Sequence, residues 1–195
     1  ADGSTLTSEV GGFDAFDARR DELASAGIVL KKGVDPSTDL EPEYIAVSGG
    51  KAYVTLQENN AIAVLDLASR TFDGIYSAGF EDYSVTPIDI DKKDDAYAPK
   101  TYGSLMGIRM PDAIAAFQAE GKTYLVTANE GDAREWGDED LGTFYLNEDE
   151  RDFGDEGVTS PTGAITAENS GLTGKVVFFK SGDFDGLDTG KDYLF

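Results

Sequence analysis

The sequence predicts an all-β protein, built of antiparallel meander blades of the β-propeller type that form a partial propeller, with one short N-terminal helix. From residue 44 onward, apolar and polar residues alternate with a period of two, which is typical of half-buried strands. Tight turns rich in Gly, Asn and Asp separate these stretches, and a related pair of strands recurs further along the chain. We therefore expect residues 1–195 to form a single propeller-like segment of a longer protein.

The first element is a predicted helix over residues 14–26. Asp14 or Asp17 can cap its N-terminus, and Phe16 and Leu23 form a short apolar stripe. Gly27 follows where a left-handed residue commonly ends a helix. This pattern indicates a packing helix and no binding site.

A first blade is predicted over residues 40–76. Its strands are expected at 44–48, 51–56, 61–67 and 71–76, with Gly49 and Gly50 forming the first hairpin turn. Four short strands joined by tight turns make a β-meander, which is the sheet unit of a propeller blade.

A second repeat is predicted over residues 108–134. Residues 42–46 (PEYIA) match 111–115 (PDAIA), and residues 54–58 (VTLQE) match 126–130 (VTANE). Between these matches the second copy has a longer predicted turn, at 118–122. Two matches in the same order indicate a repeated strand pair.

The next stretch, residues 135–170, is rich in acidic residues and Gly and has little periodicity. It predicts an acidic loop, because such a composition is typical of solvated chain. Residues 174–180 then predict a clear strand, and residues 193–195 resemble the beginning of another.

Charge and composition exclude several classes of function. The chain has 16 Lys and Arg against 38 Asp and Glu, a net charge of −22, and contains neither His nor Cys. Zinc sites of His or Cys, thiol nucleophiles and Ser-His-Asp triads are therefore excluded. The negative charge disfavours nucleic acid, and no apolar run is long enough for membrane insertion.

Several motifs carry a resemblance to known families. Residues 53–67 (YVTLQENNAIAVLDL) resemble the YVTN-type β-propeller repeat. Residues 39–47 (DLEPEYIAV), 110–115 (MPDAIA) and 127–134 (TANEGDAR) resemble the choice-of-anchor I family. That resemblance implies an exported bacterial propeller protein, related to animal mesenchyme-specific cell surface glycoproteins, that is secreted, periplasmic or at the cell surface. Some bacterial members carry the label alkaline phosphatase.

Acids and amides recur at matched places in the two repeats, and they are the candidate ligand-binding residues. Strand ends repeated around an axis would converge on one rim, where they could bind a hard cation or a polar ligand. The alternative is that these side chains hydrogen-bond turn backbone, and that Arg134 pairs internally with Asp132 or Asp112 instead of clamping an anion. The candidates are Glu43, Gln57, Glu58, Asp112, Asn129, Glu130 and Arg134.

A separate metal site is predicted near the end of the chain, at Asp183, Asp185, Asp188 and Asp192. Gly186 permits a sharp turn that would let several of these carboxylates face one Ca²⁺ ion. The alternative is a plain acidic turn without a cofactor.

These features favour an exported binding or scaffold module that mediates extracellular or cell-surface interactions, with Ca²⁺ as its expected cofactor. The expected partner is an extracellular protein or polymer, and open sheet edges would favour a homodimer. The alternative is a fragment of a Ca²⁺-dependent alkaline phosphatase-like hydrolase, which the family label implies. We find no catalytic motif, so the sequence favours a protein that is not itself an enzyme.

Overall fold

A computed structural model of the chain describes residues 8–91 and 96–195. Two adjoining helical segments replace the single predicted N-terminal helix: a 3₁₀ helix at Asp14–Arg19 and α1 at Arg20–Ser25. The other helices are short: α2 (Pro36–Asp39), α3 (Ala167–Ser170) and a 3₁₀ turn at Ser181–Asp183.

Most of the regular structure is in strands. They are β1 (Leu30–Lys31), β2 (Ile45–Ser48), β3 (Lys51–Leu56), β4 (Ala61–Asp66), β5 (Thr71–Ser77), β6 (Phe80–Asp82), β7 (Leu105–Ile108), β8 (Pro111–Ala119), β9 (Lys122–Asn129), β10 (Glu135–Trp136), β11 (Tyr145–Leu146), β12 (Glu148–Asp152), β13 (Lys175–Phe179), β14 (Phe184–Asp185) and β15 (Asp192–Leu194). All the strand pairs among them are antiparallel except β15 with β7.

The predicted meander is present as a four-stranded sheet in the order β2-β3-β4-β5. Gly49 and Gly50 have φ values of 60° and 79°, so the β2–β3 turn has the two left-handed residues that a tight hairpin of this hand requires. The side chains of β3 alternate less than expected, because Val54, Thr55 and Leu56 are all buried.

The second repeat is a two-stranded hairpin, β8–β9. The sequence predicted a longer turn for this hairpin than for the first, and that prediction is wrong. Glu120 and Gly121 alone form the turn, with φ values of 51° and 74°. The register shifts at an irregularity between Pro111 and Ile114. Pro111 lacks the N–H that a regular ladder needs, which fits an irregularity at this point.

Three apolar clusters hold the sheets together. The first packs the N-terminal helical segment onto the meander and includes Phe16, Leu30 and Leu56. The second surrounds Phe178, and the third joins Val29, Met110 and other residues from distant parts of the chain. Burial of this apolar surface is the main favourable term for folding.

The prediction of an acidic loop over residues 135–170 is wrong in part. It contains the β10–β11 hairpin, where Trp136 stacks on Tyr145 at a centroid distance of 4.7 Å, and it contains β12, which pairs with β13. Strand β12 could not be recognised from the sequence because all five of its residues, EDERD, are charged. Its charges have cationic partners in the fold: Glu150 pairs with Lys175, and Asp149 with Arg151.

The strands of the described residues form sheets of two to four strands, and none of these sheets closes on itself. The fold is therefore mainly β with small, mostly antiparallel sheets. A ring of blades is not seen in this part of the chain, so the propeller arrangement stays a prediction. No helix among residues 8–91 and 96–195 has the length and apolar character needed to cross a bilayer.

Candidate functional site

An open acidic cleft lies where the ends of the two repeats meet. Its volume is about 590 Å³, and its lining comprises Glu43, Tyr44, Gln57, Asp112, Glu130 and Asp132. Four of the seven predicted ligand-binding residues thus share one cleft. We call these six residues the acidic cleft.

Strand geometry places these side chains together. Glu43 and Tyr44 precede β2, and Gln57 follows β3, so the first repeat supplies one side of the acidic cleft. Asp112 lies at the start of β8 and Glu130 just after β9, so the second repeat supplies the other side. Strand β8 also lies against β2 and β3, which brings the two sides together.

A hydrogen bond joins the two repeats at this point. The Gln57 Nε2 donates to the backbone carbonyl of Glu130 over 2.8 Å. The alternative interpretation expected rim amides to bond turn backbone, and Gln57 does bond backbone, but that backbone belongs to the other repeat. This bond fixes one wall of the acidic cleft relative to the other.

The electrostatics of the acidic cleft are those of crowded carboxylates. Desolvation, and then the nearby charges of Asp112 and Asp132, raise the pKa of Glu43. None of the six lining residues is basic, and within residues 8–91 and 96–195 none of the four carboxylates forms an ion pair. The acidic cleft is thus a region of uncompensated negative charge.

Glu58 differs from its counterpart Glu130, although the repeat predicts equivalent places for them. Glu58 is 9% exposed and does not line the acidic cleft, and its Oε2 has no hydrogen-bond partner in the described part of the chain. Burial is the main cause that raises the pKa of Glu58, and the nearby charges of Glu41 and Glu43 add to it. A backbone hydrogen bond and, more weakly, the Arg134 guanidinium oppose this shift.

Arg134 forms an internal salt bridge, as one interpretation of the sequence expected, but its partner is Asp39 and not Asp132 or Asp112. Its Nη1 donates to Asp39 Oδ1 over 2.6 Å, and the two side chains are 1% and 5% exposed. The other Asp39 oxygen, Oδ2, accepts from the backbone N–H of Lys31. Arg134 is therefore a structural tie between distant parts of the chain.

Asn129, the remaining predicted ligand residue, lies outside the acidic cleft. Its Oδ1 accepts a hydrogen bond from Thr127 Oγ1 over 2.8 Å, and it borders a separate depression with Glu81 and Arg109. The matched amides Gln57 and Asn129 thus have different surroundings.

The predicted metal residues have separate partners. Asp183 accepts from Tyr145 Oη, and Asp185 forms a salt bridge with Arg20. Asp188 accepts from the backbone N–H of Gly190. Asp192 is buried and accepts from Thr162 Oγ1 and Ser104 Oγ.

These partners do not make a shared ion site. Within residues 8–91 and 96–195, no group of three or more acidic side chains has an arrangement that could hold a metal ion. The carboxylates at residues 183–192 therefore do not fit a common Ca²⁺ ion, which needs about six to eight oxygen ligands. Calcium binding stays a prediction.

Sequence reasoning missed several members of this region. Tyr44 and Asp132 line the acidic cleft, and Asp39 and Asn147 hold Arg134, whose backbone N–H donates to Asn147 Oδ1. Asp132 lies two residues after Glu130, within the motif at 127–134, so its position was a usable signal. Asp39 offered none, because its partner is distant in sequence.

A family model for the choice-of-anchor I domain matches residues 1–185. Neither the curated proteins nor the solved structures contain a match to the chain.

Proposed function

This chain belongs to the choice-of-anchor I family, which marks an extracellular or cell-surface-associated module, and we propose that it binds a positively charged group of its ligand in the acidic cleft. The observation that carries this proposal is the grouping of Glu43, Asp112, Glu130 and Asp132 around one open cleft without a basic residue. Both repeats contribute, so the cleft is a product of the fold and not of one acidic run.

The ligand that fits best is an organic cation, such as a Lys or Arg side chain of a protein or an amine on a polymer. A cleft of about 590 Å³ is large enough for such a group. Its carboxylates do not form a compact metal-binding group, whereas an ammonium or guanidinium group can be attracted by charges spread along a wall. This ligand class agrees with a scaffold that meets partners outside the cell.

Titration calorimetry with a lysine-rich peptide tests the proposal directly. The double variant Asp112→Asn/Glu130→Gln removes two charges from the acidic cleft and is expected to weaken peptide binding by about five- to tenfold at low salt. The double variant Glu139→Gln/Asp140→Asn is the matched control, because it removes the same charge from an exposed turn outside the cleft. Equal weakening in both variants, or no binding by the native protein, would contradict the proposal.

Calcium is the simpler cation and is tested separately. If Ca²⁺ prefers the folded protein, millimolar CaCl₂ raises the melting temperature and a chelator lowers it. An unchanged melting temperature excludes a stabilising Ca²⁺ site. It leaves the proposal for organic cations intact.

The hydrolase alternative is supported by the family resemblance alone. The acidic cleft offers no Ser or Thr among its lining residues that could act as a nucleophile. Incubation with p-nitrophenyl phosphate at alkaline pH with Ca²⁺ decides between the two functions. Turnover that is lost in Glu58→Gln and Glu130→Gln would favour the hydrolase.

We also propose that the two repeats are neighbouring units of a propeller-like arrangement of the YVTN type. The contact of β8 with both β2 and β3 supports this, because adjacent blades pack face to face. In such an arrangement the strand ends that form the acidic cleft lie on one rim.

A further inference from the structure

The β8–β9 hairpin presents an apolar face that nothing in residues 8–91 and 96–195 covers. On one face, Phe117 is 50% exposed, Tyr124 41% and Val126 56%. Phe117 and Tyr124 are cross-strand neighbours whose rings stack at a centroid distance of 5.4 Å. The opposite face lies toward the meander, where Gln118 Nε2 donates to Ser48 Oγ.

The same hairpin has an open edge. In the described part of the chain, β9 pairs only with β8, so one row of its backbone N–H and C=O groups has no strand beside it. The partner that satisfies such a row is another extended strand. An apolar face continuous with an open edge therefore indicates a docking surface for a β-strand.

Local charge argues for a second copy of this chain as the partner. Residues 113–130 contain only two acidic residues, Glu120 and Glu130, and one basic residue, Lys122, whereas the whole chain has a net charge of −22. This hairpin is thus a surface where two copies can meet without strong repulsion.

We propose that two copies dimerise by antiparallel pairing of β9 with β9, centred on Val126, to give a four-stranded sheet. This register places Val126 opposite Val126 of the second copy, and Tyr124 opposite Ala128 of the second copy. It also places Lys122 opposite Glu130 of the second copy, which pairs opposite charges twice. A single strand pair is smaller than a standard interface, so the dimer is expected to dissociate in the micromolar range.

Sedimentation velocity across the micromolar range tests this proposal with the native chain. Val126→Lys places two charges at the centre of the interface and is expected to weaken dimerisation at least about tenfold. The matched control Val85→Lys alters a valine that is 73% exposed and lies outside the hairpin, and it is expected to dimerise like the native protein.

Lys122→Glu is the second variant, because it turns both charge pairs into repulsions and leaves the apolar face unchanged. It is expected to weaken the dimer without lowering the melting temperature of the monomer, since Lys122 is exposed. A native protein that is monomeric throughout the range overturns the proposal. Self-association that Val126→Lys and Lys122→Glu leave unchanged also overturns it, because it must then use another surface.

Discussion

The two copies of the repeat have the same kind of strand pair but different surroundings. At matched positions, Val54 in the first copy is 5% exposed and Val126 in the second is 56% exposed. Glu58 is buried, whereas Glu130 is exposed and lines the acidic cleft. The repeated sequence thus specifies a hairpin, and the elements packed on that hairpin decide what each side chain does.

Loss of the buried Arg134–Asp39 salt bridge, which joins distant segments, is expected to have the largest effect on stability. Arg134→Met leaves the Asp39 carboxylate buried without its cation, which is expected to cost about 3–5 kcal/mol of unfolding free energy. Lys175→Met, which breaks the exposed pair with Glu150, is expected to change the unfolding free energy far less, because solvent screens this pair. Urea unfolding measures both, and similar losses for the two variants would show that Arg134 is not a buried tie.

Truncation of the matched valines, Val54 and Val126, is expected to give the next largest difference in stability. Val54→Ala removes about two buried methylene equivalents and leaves a cavity, so it is expected to cost about 2 kcal/mol. Val126→Ala is expected to change the stability of the monomer by less than about 0.5 kcal/mol, because the side chain is already half exposed. Equal losses of unfolding free energy at low protein concentration would mean that the two valines are buried to the same extent.

The matched glutamates should differ in their pH dependence. Because the pKa of Glu58 is raised in the folded state, the native protein holds this proton at pH values where the unfolded chain has lost it. The contribution of Glu58 to the unfolding free energy therefore falls as the pH rises from the ordinary carboxyl range through the pKa of the folded state. Glu58→Gln removes that loss and is expected to stabilise the protein by on the order of 1 kcal/mol at neutral pH, and by little in acid.

Thermal or urea unfolding at several pH values measures the difference between Glu58→Gln and the native protein. Glu130→Gln, at the matched place in the other repeat, is the control and is expected to shift stability by less than about 0.5 kcal/mol. Destabilisation by Glu58→Gln at neutral pH would mean that attraction to Arg134 outweighs the cost of burial.

Local patterns in the sequence predicted the strands well. The alternation at 44–76 and the pair Gly49-Gly50 gave the meander within a few residues of its observed bounds. Matched acids in the repeat pointed to Glu43, Asp112 and Glu130, which do share a cleft. These features are set by near neighbours along the chain or by a repeat, so they can be recognised without the fold.

Long-range pairings could not be predicted in this way. Nothing near Asp39 indicates Arg134, and the charged strand β12 resembles solvated loop until Lys175 and its neighbours are placed beside it. The spacing of Asp183 and Asp185 suggested a common ion, but Tyr145 and Arg20 engage them separately. In each case the partner comes from a distant segment.

The convergence of the two repeats on one acidic cleft is the central claim, and a carboxyl NMR titration of Glu43 tests it most directly. Glu43 comes from the first repeat, and one cause that raises its pKa is the charge of Asp112 in the second. We expect a raised pKa for Glu43 in the native protein and a lower one in Asp112→Asn. A pKa of Glu43 that Asp112→Asn leaves unchanged would contradict the claim that the two repeats build one site.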